Sequence, residues 1–551
     1  RGGFDLAGQV EQLRFGARVL LDGRESDDRQ PLHRFLAFGE YAFAPWAGLR
    51  LHAGDTYPAL PNQLVSGLRV RGVGVGLRVG FFNFDVVTGQ TRRGVGGTLI
   101  DVGEQPLIEI PATSAESAQA AAPFDTELVG QDGGVFRFQR FRRGTYSRSY
   151  ASIRPSFGQR ERFQFGLTYL HVVDDADSVE RAFRPQENLV LGSDLFLGFD
   201  RRRVQLELEG AVSLTNLDTE GGAFDDADYD TLVEAGDIDE GDVDALRDVC
   251  DFAEPFFTCN ENVFPLNPFG DGLPGVMGEG TLSVLYGQNV FRAYGYRRGT
   301  AFRTFANPFL QNDLQGVRLS DRARFLDGAL LTDVTFEYRE DNVSNTQDFT
   351  TQFNEFSASV SYFPRQDYPS VTVGLGTFGR SSDRTVLRDG REIDALDDSA
   401  LRLYLTSTYR FMALGPEHFA LFSISTLNRD DATEFDLDAS NTYAQLALTT
   451  RFLTLPLKTR LTLSTSANEA GTFETNYTGF GGGLSYGFLN EALEVHADVT
   501  QYVGDLERTI LRLSGDYDLP AGHTVAARFA YYVNDAFDDS TVASIVYRYR
   551  L

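Results

Sequence analysis

Glu494, His496 and Asp498 are the one place in the chain where an imidazole stands between two carboxylates at a spacing of two. Alternate residues of an extended strand point to one side, so these side chains share a face and form the best acid–base group available. The other histidines, His33, His52, His171, His418 and His523, are scattered without metal-ligand spacing, and no Gly-x-Ser-x-Gly elbow, zinc-protease helix or phosphate-binding loop occurs. Polar strand faces carry such trios as ordinary wall. The expectation is a protein that is not an enzyme and has no cofactor.

Two smaller groups have residue types suited to chemistry. Asp226, Asp228 and Asp230 have the alternate-acid spacing that opens a calcium loop, yet Thr231 stands where the glycine turn belongs and Asp237 where the bidentate Glu would be. A solvated acidic loop is the other reading. Cys250 and Cys259 are the only cysteines. In an oxidising compartment a pair this close would form a short disulfide loop, the rival being two free thiols.

The charged groups with the most regular placement lie in the last third. Arg402, Arg410, Arg451, Lys458, Arg460, Arg512, Arg528 and Arg548 stand opposite apolar residues, joined by Glu494, Asp498 and Asp516, and Lys458 is the only lysine. The elements that must position them are β-strands. Leu493, Val495, Ala497, Val499 and Val503 alternate with Glu494, His496, Asp498, Thr500 and Tyr502, and the same period of two runs through Leu511–Tyr517 and Val525–Val533. In the last stretch Ile545, Tyr547, Tyr549 and Leu551 share one side, and Val546, Arg548 and Arg550 the other.

A soluble sandwich closes its apolar face in a core, whereas a membrane barrel turns that face to lipid and its polar face to a lumen. Here the chain resembles the outer-membrane β-barrel proteins of Gram-negative bacteria, of porin or transporter type. Their last strand alternates apolar and aromatic residues and is read by the barrel-assembly machinery. Tyr547, Tyr549 and Leu551 match that signal, with Leu551 in place of the usual Phe or Trp. Gly54-Asp55, Leu64, Gly67 and the run Leu68 to Val73 resemble large outer-membrane proteins of the Bacteroidetes type. The resemblance implies an all-β fold, a large antiparallel transmembrane β-barrel over 1–551, and outer-membrane lipid and the assembly machinery as partners. It carries no catalytic residues.

Length and charge agree. A barrel strand needs roughly 9–11 residues to cross, and about 25 per crossing with connections gives about 20–24 strands. No apolar run is long enough for a helical span. A net charge of −28 argues against a nucleic-acid partner. No signal peptide precedes Arg1, so in an exported protein residue 1 is a mature residue.

Strands begin near Leu13, with no globular plug ahead of them in the numbered residues, which counts against a TonB-dependent transporter unless a plug precedes residue 1. Two segments break the pattern: 95–133, with Pro106, Pro111, Pro123 and an alanine-rich run, and 215–280, strongly acidic and holding the cysteines. The first reads as a long loop or a lumen insertion, the second as a long acidic loop. From Leu326 onward, long polar connections near 339–352, 381–399, 429–441 and 468–473 alternate with short ones. That is the pattern of long acidic extracellular loops and tight periplasmic turns.

The function expected is an outer-membrane channel or transporter for small polar or charged solutes, selecting by pore width and lumen charge. Its wall would include the eight basic residues and three acids named above, while Glu207, Glu209, Asp333 and Glu337 make the rest of the wall more acidic. The alternative is a structural or secretion-associated barrel that anchors an extracellular assembly or lodges a protein partner in its lumen or at its outer loops. A barrel this wide needs filling to be selective, by 95–133 and 215–280 or by another chain.

Overall fold

The computed structural model describes residues 2–549 except 27, 59, 62, 104, 124, 226, 227, 230–239, 365–367, 389, 390, 436, 520–522 and 535–538; the side chains of 116, 120, 240–242, 245, 388, 548 and 549 are likewise outside the description. The chain is all-β and of the large antiparallel β-barrel class expected from its alternation, with 26 strands in one sheet among the described residues. The number slightly exceeds the expected count because hairpins are tighter than assumed. Leu457–Ala470 and Phe473–Phe488 are joined by 471–472 alone, where a long polar connection had been expected. Polar Asn468 and Glu469 lie inside the ladder, opposite Thr475 and Glu474. Gly471 makes the tight turn with φ 55°, a left-handed conformation open to glycine at no steric cost.

The fold comprises two compact units. The first is Arg1–Leu282, Tyr294–Gln315 and Asn342–Thr346; the second is Ser283–Ala293, Gly316–Asp341 and Gln347–Leu551. In the first unit the strands Gly2–Val10, Leu13–Leu21, Arg34–Ala44, Ala47–Thr56, Val70–Val79 and Phe82–Arg92 form hairpins with turns at 11–12, 45–46 and 80–81. The alternate connections, 22–33, 57–69 and 93–146, are long. In the second unit the strands from Asp397–Met412 to Ser540–Tyr549 pair each with its chain neighbour.

Segment 95–133 is not an open loop. Thr98–Leu99, Ile108–Pro111, Thr126–Asp132 and Val135–Arg142 form a separate four-stranded sheet. Helix Ala115–Ala121, capped by the Ser114 side chain accepting from the Ser117 amide, sets buried Ala118 against Phe136 and Phe138. Segment 215–280 holds helix Glu240–Ala253, and Cys250 and Cys259 are joined in a disulfide with Cα atoms 5.7 Å apart. Val243, Leu246, Cys250 and Phe257 pack on Leu189 and Leu214.

Candidate functional site

Antiparallel register decides which side chains share a face, because directly opposed residues point the same way. In the second unit two neighbouring register rows cross the sheet. One runs Arg410, Phe419, Thr449, Arg460, Gly483, Asp498, Arg512 and Ala530. The next, on the same face, runs Glu417, Arg451, Lys458, Ser485, His496, Ser514 and Arg528. Glu494 opposes Asp516 one row further, Thr524 opposes Arg548, and Arg402 lies on this face near the other strand ends. The register therefore brings all eleven charged residues picked from the sequence onto one face, the side chain of Arg548 being outside the description.

The charge is not spread evenly. The two rows beside the turns at 413–416 and 489–492 hold Arg410, Arg451, Lys458, Arg460, Arg512 and Arg528 against Glu417 and Asp498. The next rows away from those turns mix small polar with apolar residues: Thr408, Leu421, Ala447, Thr462, Thr500 and Ile510, then Thr406, Ser423, Gln445, Ser464, Gly479 and Tyr502, with Arg508 the one charge. Arg410 is paired with Glu417, and Lys458 Nζ lies 3.1 Å from Glu494 Oε1. Arg451, Arg460, Arg512 and Arg528 have no carboxylate within 4 Å among the described residues.

Within this belt His496 Nδ1 shares a hydrogen bond of 2.7 Å with Ser485 Oγ, and its Nε2 is 3.9 Å from Glu494. That last separation exceeds a hydrogen bond, and Lys458 engages the same carboxylate. His496 and Glu494 are therefore not joined by a hydrogen bond. Asp498 lies across Gly483, where a Cβ would come within 2.1 Å of its Oδ1. Thr449, Lys458, Arg460, Gly483, Ser485, His496, Asp498 and Ser514 line a cavity of about 500 Å³.

The opposite face is apolar and open. Leu401, Leu403, Leu446, Leu461, Leu463, Phe480, Leu484, Leu511, Leu513 and Phe529 all lie on it, exposed. From Asp397–Met412 onward its acids, Asp397, Asp430, Glu469 and Glu474, sit at the strand ends beside the alternate connections. Large aromatics border the turns at the other end: Phe43, Trp46, Phe81 and Phe199 in the first unit, Phe325, Phe363 and Phe488 in the second, with Phe81 68% exposed. Sequence alternation missed one departure. Phe419, Leu421 and Leu427 fall on the polar face, each opposed by register to Arg410, Thr408 and Arg402.

In the first unit the polar face is paired and covered. Arg18 meets Asp5 at 2.7 Å, Arg50 meets Asp85 at 3.1 Å and Arg154 meets Asp194 at 2.7 Å. Glu207 takes Arg160 at 2.9 Å, and Glu209 stands one position further along that face, opposite Asp194. In the second unit Asp333 and Glu337 pair with Arg322 and Arg318. Connections 57–69 and 299–313 fold over the first unit's polar face. Leu64, Phe302 and Ala306 are buried there with Val87, Tyr150, Leu170 and Val190. Asn188, fully buried, clamps them: its Nδ2 donates to Arg303 O at 3.1 Å and its Oδ1 accepts from the Phe305 amide at 3.0 Å. Thr304 Oγ1 donates to Leu64 O at 2.9 Å, and the Arg148 guanidinium lies 4.4 Å from the Phe305 ring centre.

The remaining sequence candidates are placed as follows. The helix of segment 215–280 packs by Leu189 and Leu214 on the apolar face of its unit, not the polar one. Asp226 and Asp230 of the calcium candidate lie outside the described residues; Asp228 accepts from the Asp225 amide at 2.8 Å, within its own loop. Tyr547 is exposed on the apolar face, opposite Val525, while the Tyr549 side chain and Leu551 are outside the description.

No protein-family model matches the chain, and no curated protein does. Among solved structures it is similar to the ferric-catecholate import receptor Fiu of E. coli K12, at 8% identity and a TM-score of 0.32 over 98% of this chain and 79% of that one. It is also similar to a chain of the E. coli P pilus tip assembly intermediate PapC-PapD-PapK-PapG, at 11% identity and 0.41 over 94% of this chain and 58% of that one. The P pilus usher PapC translocation pore gives 11% identity and 0.25, over 100% and 96%. At these identities and scores none of the three defines a shared activity.

Proposed function

We propose that this chain is an outer-membrane β-barrel of a Gram-negative cell that passes small polar or charged solutes along its polar face. The observation that carries this reading is the open apolar face, with large exposed side chains on strand after strand and an aromatic border beside the short turns. Contiguous exposed apolar surface far above a few hundred Å² is foreign to a soluble monomer and is what a lipid-facing barrel wall requires. The polar face is then the lumen, lined by Arg402, Arg410, Arg451, Lys458, Arg460, Glu494, Asp498, Arg512, Asp516, Arg528 and Arg548. Connections 57–69 and 299–313 act as filling over the first unit's polar face, beside the candidates offered by the sequence, 95–133 and 215–280 or another chain. Tyr547 and its neighbours on the last strand serve as the assembly signal.

The test is conductance of the purified chain in planar bilayers, with the reversal potential in a salt gradient. Steady current selective for anions is expected from the basic belt. Silence from correctly folded protein overturns the open-channel reading. It would favour the second reading, a closed barrel that anchors an external partner, for which the buried clamp around Asn188 speaks.

A further inference from the structure

The two units treat their polar faces differently, and the difference locates a site. In the first unit Arg18, Arg50 and Arg154 each hold a carboxylate, and Leu64 and Phe302 are buried on the same face. In the second, Arg451, Arg460, Arg512 and Arg528 are exposed and have no carboxylate within 4 Å among the described residues. Arg451 is directly opposite Lys458 in the ladder, and like charges so placed repel at a separation of about 5 Å. Glu417, the other neighbour of Arg451, is taken by Arg410. Lys458 reaches Glu494 at 3.1 Å, so Arg451 is the cation left beside it with no carboxylate within 4 Å among the described residues, and an anion joining the two would relieve their repulsion.

The surroundings suit an oxygen anion. Ser485 and Ser514 flank His496 in the same register row, presenting hydroxyls beside the imidazole. Gly483 between Arg460 and Asp498 has no side chain, and the Asp498 carboxylate takes up the space over it, so an entering anion would sit on the Lys458 and Ser485 side of the cavity. Lys458, Arg460, Ser485 and His496 border the cavity of about 500 Å³ on three successive strands. Three strands span about 10 Å, within reach of long basic side chains converging on one tetrahedral or carboxylate group. The row of Thr408, Leu421, Ala447, Thr462, Thr500 and Ile510, which carries no charge, bounds the belt on one side and the turns bound it on the other.

We infer that the belt around Lys458, Arg460, Ser485 and His496 is a binding site for a multivalent oxyanion, a phosphate-class group on the solute. The inference deepens the channel reading and rests on the polar face being open to solution. The chain supplies its own reporter, because Lys458 is the only lysine. The full chain, folded in detergent, is treated with an amine-reactive ester in inorganic phosphate or in chloride at equal ionic strength, and acylation of Lys458 is read by mass spectrometry. Phosphate is expected to slow Lys458 at least fivefold, saturably, without changing the rate at the terminal amine. Arg460→Gln removes this protection, and Arg402→Gln, on the same face several rows away, keeps it. Equal rates in the two salts with wild-type protein overturn the site, as does full protection in folded Arg460→Gln. Protection with no channel current sinks only the channel reading. Anion-selective current without protection sinks only the site.

Discussion

Single residues show how closely this sheet fits its sequence. Gly72 has no room for a Cβ, which would fall 1.9 Å from the Thr88 carbonyl oxygen, whereas a Cβ on Gly39 would meet nothing within 4 Å. Gly72→Ala should cost about 1–3 kcal/mol of stability, as overpacking does, and Gly39→Ala less than about 0.5 kcal/mol. Urea midpoints, read by loss of the heat-modifiable folded band, separate the two. In the connection 22–33 the Glu25 carboxylate accepts the His33 amide at 2.8 Å and the Leu32 amide at 2.6 Å. The His33 bond, with that of Leu32 and the nearby charges of His33 and Arg93, holds its pKa below the usual carboxylate range. A folded-state pKa below the unfolded one contributes stability above the unfolded value, near 4.3, and loses it as pH falls through the folded value. Hydrogen exchange of 22–33 should therefore speed up on acidification in the wild type beyond its intrinsic pH trend. Glu25→Gln should show no such step. At this scale the sequence was informative where side-chain direction follows period, as with the arginines that share the polar face. It was silent on Ser485 meeting His496, because that contact joins two strands.

Elements divide into those that local patterning specifies and those that distant partners capture. The strands and their faces were legible because a one-residue slip would invert every side chain. Phe419 and Leu421 escaped because an apolar residue on a polar face breaks the only rule available to a single sequence. The in-folding of 57–69 and 299–313 escaped for another reason. It depends on Asn188, Ser213 and Arg148, which lie far away in the chain and announce nothing locally. Replacing Asn188 with Ala would leave the Phe305 amide and the Arg303 carbonyl without this partner, a loss of about 1–3 kcal/mol for buried groups. Asn188→Ala is expected to loosen 299–313, seen as faster hydrogen exchange there with the flanking strands unchanged. In bilayers the same variant should raise the time-averaged conductance.

For the whole molecule, the question is what surrounds the sheet. Leu461 and Thr462 are adjacent in mid-strand and point to opposite faces, Leu461 being 61% exposed. If water covered both faces, arginine at either position would be nearly neutral. With lipid on the apolar face, Leu461→Arg should cost about 2–4 kcal/mol near the bilayer midplane, and Thr462→Arg far less. Refolding into vesicles from urea, followed by flotation, reads the difference directly; equal behaviour of the two variants argues against a membrane wall. The architecture was more legible than the site because the two-faced sheet imposes alternation on every strand, whereas the covering of a face depends on a few residues.

The alternation of brief and extended connections has a bearing on how such a sheet changes size. Each brief turn, such as 11–12, 45–46 or 80–81, closes a pair of strands whose outer ends lie on the same side of the sheet. Copying or deleting one such pair leaves the destination of every loop and the orientation of every face unaltered. Copying a single strand would send all later loops to the wrong side. The hairpin is thus the inheritable unit of width, and a lineage can resize its aperture in steps of two strands while each surviving residue keeps its environment.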